Sequence, residues 1–233
     1  MNITFKTVVS AITYIFILLG CFFLIKNIPS FIEPVVLVIE YSPYVIFGLG
    51  IILSIRFNQG RVFLILFLLS LSQLLLNYYS YFAISITTFS QMIYPLMCLL
   101  IPLNIVIISY LKERGLFSLW GKIRIALILI ELFVIYIIAV SNHSAIQKVL
   151  NYKFISLPFE NMIMSQPTML LFLITLIFLI IKAFVKSSVF EVRLIGVIIF
   201  CFTALIFINE KISFSIFLSA AGLMLIIGII QDS

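Results

Sequence analysis

Glu131 is the residue in this chain whose position most demands a chemical explanation. It lies near the middle of the apolar stretch Ile125–Val140. A bare carboxylate in hydrocarbon is costly, so the group must be protonated, paired or turned to a wet cavity. A neutral or paired Glu joins two helices; one facing water can pass a proton or a cation. Arg124 lies two turns earlier on a similar face. A partner on another helix is an equal candidate.

A second group is defined by spacing. Ser70, Gln73, Asn77 and Tyr81 follow one another at three, four and four residues, which places them on one helix face. Gln91, Tyr94 and Cys98 repeat at similar spacing on the next apolar stretch, and Glu40, Tyr41, Ser42 and Tyr44 cluster on the preceding one. Such groups either hydrogen-bond helices together or converge on an aromatic-lined pocket with a few polar contacts. The expected ligand-binding set is Glu40, Tyr44, Ser70, Gln73, Asn77, Tyr81, Gln91, Tyr94 and Glu131, facing a small lipid-like or aromatic molecule. Tyr78 and Tyr79 also fit an interfacial belt.

Other chemistries find few residues to use. His143 is the sole histidine, which excludes a multi-histidine metal site. Cys21, Cys98 and Cys201 are far apart in apolar runs, without CxxC spacing, and read as small packing residues. No HExxH, P-loop or GxSxG stretch is present. No catalytic constellation and no cofactor are expected, so the chain does not read as an enzyme; an intramembrane enzyme would lack a clustered acid, base and nucleophile.

The elements that must position these groups follow from composition. Apolar residues make up 64% of the 233-residue chain and charged residues 9%. A soluble domain carries roughly 25% charged residues, so the class is an all-α polytopic membrane bundle. Eight stretches can cross a bilayer: Thr7–Ile25, Val35–Ile55, Val62–Phe82, Phe89–Leu111, Ile125–Val140, Thr168–Val185, Leu194–Ile208 and Ile212–Ile230. The seventh is short, and only Asn209-Glu210-Lys211 separates it from the eighth, so a re-entrant hairpin is the alternative. Pro95 and Pro102 invite kinks in the fourth span, and Gly48 and Gly50 permit close packing in the second. "LLGC" at Leu18–Cys21 loosely resembles a lipoprotein signal, but the apolar run continues through Ile25.

Charge bias orients the spans. With a cytoplasmic N-terminus, Lys6, Arg56, Arg61, Lys112, Arg114, Lys122, Arg124, Lys182, Lys186 and Arg193 fall inside. Lys26, Lys148, Lys153 and Lys211 fall outside. This bias supports eight spans with both termini cytoplasmic. The net charge of +6 is explained by it and calls for no nucleic acid. The whole chain, 1–233, reads as one domain. Its longest loop, 141–167, is extracytoplasmic, and Ile146, Val149 and Leu150 give it the pattern of a short interfacial helix. In the eighth span, Ser215, Ser219 and Gly222 form a small-residue face for packing within the bundle or between two copies.

"SPYVIFGLGIILSIRFNQGR" (Ser42–Arg61) and "SAAGLMLIIGIIQDS" (Ser219–Ser233) resemble the N-terminal membrane modules of bacterial GGDEF proteins, the diguanylate cyclases. The resemblance implies a sensory input module in the bacterial inner membrane, whose last helix leads into a cytoplasmic output domain that makes cyclic di-GMP. It also implies a homodimer, since cyclases act in pairs. No GGDEF signature is present, so no catalytic residue carries over. The expected partners are the lipid bilayer, a small-molecule ligand, the output domain and a second copy. Two rivals use the same residues differently: a small transporter or channel coupled through Glu131, and a passive anchor supplying location and dimerisation.

Overall fold

A computed structural model describes residues 3–28, 31–82, 88–113, 115–141, 152, 164–186 and 188–232. These form eight helices, and no strand occurs among the described residues. They are α1 (Ile3–Asn27), α2 (Glu33–Arg56), α3 (Gly60–Phe82), α4 (Thr88–Tyr110), α5 (Leu119–Ser141), α6 (Gln166–Lys186), α7 (Val189–Ile206) and α8 (Lys211–Asp232). Long apolar runs take this form because a helix satisfies its own backbone where no water can. Seven of the eight are long and apolar enough to cross a membrane. The remaining one, α5, carries Lys122, Arg124 and Glu131.

The last helix sits at the centre. α8 packs most extensively against α2 and α7, with α1 and α3 against its remaining sides. α3 packs on α2 and α4, α6 on α4 and α7, and α5 lies mainly on α4. The outer faces of α1, α2, α5 and α6 expose large apolar side chains, among them Phe16, Val38, Phe133 and Phe184. Soluble monomers rarely present apolar surface on this scale; a bilayer covers it.

α2 and α8 run parallel and in register. Ser215 lies against Glu40, Ser219 against Ser42, Gly222 against Ile46 and Phe47, and Ile226 against Gly50. A Cβ on Gly222 would lie 2.8 Å from Ile46 and 2.9 Å from Phe47, so only glycine allows this approach. The small-residue face of Ser215, Ser219 and Gly222 is therefore occupied by α2 of the same chain. It is closed to a second copy, and any dimer must use another surface.

The structure also corrects the seventh span. Instead of starting at Leu194, α7 begins at Val189 and runs for 18 residues. At about 1.5 Å per residue this is roughly 27 Å, close to the hydrocarbon thickness. The extra turn contains Glu191 and Arg193, both buried and both paired. Pairing is what lets the helix continue through charged residues. Pro95 and Pro102 both lie inside α4, which stays one helix from Thr88 to Tyr110. The expected interfacial helix around Ile146, Val149 and Leu150 lies outside the described residues.

Candidate functional site

The candidate site grows from a proline. Pro43, inside α2, has no N–H to give the carbonyl of Ile39. The Ser42 hydroxyl donates to that carbonyl instead, at 2.7 Å. A hydroxyl has one proton, so Ser42 can only accept from Ser219, whose Oγ is 2.6 Å away. The hydrogen bond between α2 and α8 thus has a defined direction, set by the missing amide of Pro43. One turn earlier on α8, Ser215 donates to the Glu40 carbonyl at 3.2 Å.

On the other side of α2, the Asn77 amide of α3 donates to the Tyr44 hydroxyl. Tyr41 stacks obliquely near Tyr44, with ring centroids 6.2 Å apart. Asn77, Tyr44, Ser42 and Ser219 therefore link α3 to α2 and α2 to α8 at one depth. Beside them, a groove of about 560 Å³ opens on the outer face of α2, lined by Leu37, Val38, Tyr41, Ser42, Val45 and Ile46. It is apolar except for the tyrosine and serine hydroxyls. Gln73, one turn below Asn77, is fully enclosed, and neither of its amide atoms has a hydrogen-bond partner. A buried amide in that state is uncommon in a stable core.

The expected ligand set is only partly assembled. Tyr44 and Asn77 meet directly. Glu40 contributes its carbonyl to Ser215. Ser70 turns back to the Phe67 carbonyl of its own helix at 2.8 Å. Tyr94 donates to the Leu205 carbonyl at 2.9 Å, tying α4 to α7. The side chains of Tyr81 and Gln91 lie outside the described residues.

Glu131 belongs elsewhere. Its carboxylate accepts from the Asn104 amide of α4 at 2.9 Å, joining α5 to α4. Arg124 turns away and donates to the Lys112 carbonyl at 3.3 Å. The partner is thus an amide on a neighbouring helix, and the sequence offered no spacing that would single out Asn104.

A second set of groups, not foreseen from sequence, gathers at the opposite end of the bundle. The Lys182 ammonium lies 3.4 Å from Glu191, both almost fully buried. It also donates to the Ser109 carbonyl and sits 4.6 Å above the Tyr110 ring. Arg193, 2% exposed, holds both carboxylate oxygens of Asp232 at the end of α8, the second at 2.8 Å. Arg61 pairs with Glu113 at 2.6 Å and covers the Phe190 ring at 4.1 Å. Asn58, in the left-handed conformation that the α2–α3 turn requires, accepts from the Leu116 amide at 3.3 Å. Each acid at this end answers a base. Only the charge bias pointed this way, because the pairs join residues that meet through folding.

No protein-family model, no curated protein and no solved structure matches this chain. Among the described residues, no cluster of His, Cys, Asp and Glu is arranged to hold a metal ion.

Proposed function

We propose that the chain is a membrane-embedded sensory module of the bacterial cytoplasmic membrane. In this reading a small lipid-like or aromatic ligand reaches the α2 groove from the outer or intramembrane side, and α8 conveys the change to a cytoplasmic output domain. The observation that carries the reading is the connected path Asn77–Tyr44 to Ser42–Ser219. Ser42 both lines the groove and bonds the most enclosed helix, whose far end Arg193 clasps at Asp232, while Asn77–Tyr44 ties α3 to the other side of α2. Chains of packed and hydrogen-bonded groups can carry coupling between sites, and these contacts supply such a chain. A diguanylate cyclase as the output domain rests on the resemblance of Ser42–Arg61 and Ser219–Ser233 to GGDEF-associated membrane modules.

Eight crossings and cytoplasmic termini belong to the same proposal. The α4 end at Ser109 and Tyr110 meets the α6 end at Phe178 and Lys182, so both helices finish on one side. In this reading the chain crosses once between them, and α5 is the helix that supplies the crossing. The side where they finish is the one that charge bias marks as cytoplasmic.

The test is a fusion of the chain to a diguanylate cyclase catalytic domain, read out as cyclic di-GMP in cells. Tyr44→Phe, Asn77→Leu and Ser219→Ala should each shift output at equal membrane abundance. Unchanged output in all three, and after exchange of the whole module for an unrelated dimeric anchor, would overturn the sensory reading in favour of the passive anchor. The Glu131–Asn104 pair favours the transport alternative to the extent that its carboxylate is only half-buried. Glu131-dependent flux in liposomes would establish that alternative.

A further inference from the structure

At the end of the bundle that carries the ion pairs, the chain leaves α4 and re-enters α5 through a short connection. There Tyr110, Leu111, Lys112, Trp120 and Arg124 line an open groove of about 210 Å³. Two of the five are cationic and two are large exposed aromatics. The Arg124 guanidinium is held over this groove by its bond to the Lys112 carbonyl, which uses one of its five N–H groups. The Lys112 side chain is exposed. Glu113, the nearest acid along the chain, is turned to Arg61 and does not neutralise the pair.

We propose that this groove binds the headgroup phosphate of an anionic phospholipid. Both aromatics suit the membrane–water boundary, where amphipathic rings sit at headgroup level. Basic pockets between membrane helices on the cytoplasmic side suit anionic headgroups. The surface beyond the groove matches the rest of such a molecule. Leu103 and Ile107 on α4, and Ile123 and Leu127 on α5, are large exposed apolar residues leading away from the cations. One acyl chain can lie along each row while the phosphate stays at Lys112 and Arg124. A soluble anion would use the cations alone and leave these rows unexplained, so the lipid is the occupant that fits both halves. The inference does not depend on the sensory reading.

Native mass spectrometry of the purified full chain tests it, with phosphatidylglycerol and phosphatidylcholine titrated in parallel. The expected result is one phosphatidylglycerol retained in preference to phosphatidylcholine. Lys112→Gln keeps the backbone carbonyl that anchors Arg124, so the groove survives; retention should fall about fivefold for each charge removed, in Lys112→Gln and again in Lys112→Gln/Arg124→Gln. Trp120→Leu should weaken both lipids without removing the preference. Equal retention of the two lipids, or a preference unchanged in the double variant, would overturn the proposal. So would displacement of the lipid by millimolar inorganic phosphate, which would make this a site for a soluble anion. Thermal unfolding of each variant separates lost binding from lost fold.

Discussion

Lys182 shows what a single charged residue requires inside this bundle. Its ammonium is buried beside Glu191, under the Ser109 carbonyl and over the Tyr110 ring. Removing one member of such a pair strands the other charge, whereas removing both restores an apolar contact. Lys182→Met should therefore destabilise the chain by about 3–5 kcal/mol, and Lys182→Met/Glu191→Leu by much less. Unfolding in detergent, followed by labelling of the buried thiols Cys21, Cys98 and Cys201, reads both. If the double variant is as unstable as the single one, the pair is not the dominant interaction at this site. Residue-scale facts of this kind were half legible in advance. Lys182 and Glu131 announce themselves as charges in apolar runs, but their partners Glu191 and Asn104 do not, since nothing in a linear spacing says which helix will lie alongside.

At the scale of the element, α8 behaves as a core helix rather than a lipid-facing one. Its small residues were readable as a packing face, but sequence left open whether α2 or a second copy would fill it. The Gly222 contact with Ile46 and Phe47 answers this, because there is no room for even a methyl group. Gly222→Leu should force α2 and α8 apart, at about 1–3 kcal/mol, as overpacking generally does. Gly48 is the internal control. Nothing lies within 4 Å of its Cβ position, so Gly48→Ala should be neutral or stabilising by up to about 1 kcal/mol through helix propensity. Thermal melts in the same detergent compare them, and equal losses at both positions would deny the α2–α8 contact its special role. Ser42 illustrates what was hidden at this scale. In the sequence it is one polar residue among several, and nothing in the linear spacing ties it to Pro43 beside it. Only the helix geometry shows that the proline frees the Ile39 carbonyl and so fixes how Ser42 meets Ser219.

For the whole molecule, the ion pairs and the charge bias identify the same end. Arg61–Glu113, Lys182–Glu191 and Arg193–Asp232 draw together the ends of four helices, α3, α6, α7 and α8, and the α4–α5 connection. A cytoplasmic location for this end gives a direct expectation. In cells, Phe117→Cys should react with an impermeant maleimide only after the membrane is opened, and Glu33→Cys should react while it is intact. Both side chains are exposed, and the native cysteines are buried and will not compete. The reverse pattern would invert the orientation and move the proposed lipid groove to the other leaflet.

The sequence by itself determined that this is a helical membrane bundle, where most of its helices lie, and which end carries the positive charge. Those properties follow from local composition: hydrocarbon demands self-satisfied backbone, and basic residues are retained on one side. The tertiary structure decided that the last helix is central, that its small face belongs to α2, that Glu131 meets Asn104, and that the acids at one end each have a base. These depend on which helices become neighbours. Hydrocarbon gives all apolar helices a similar welcome, so the choice among them rests on close packing and on a few hydrogen bonds and ion pairs between residues far apart in the chain.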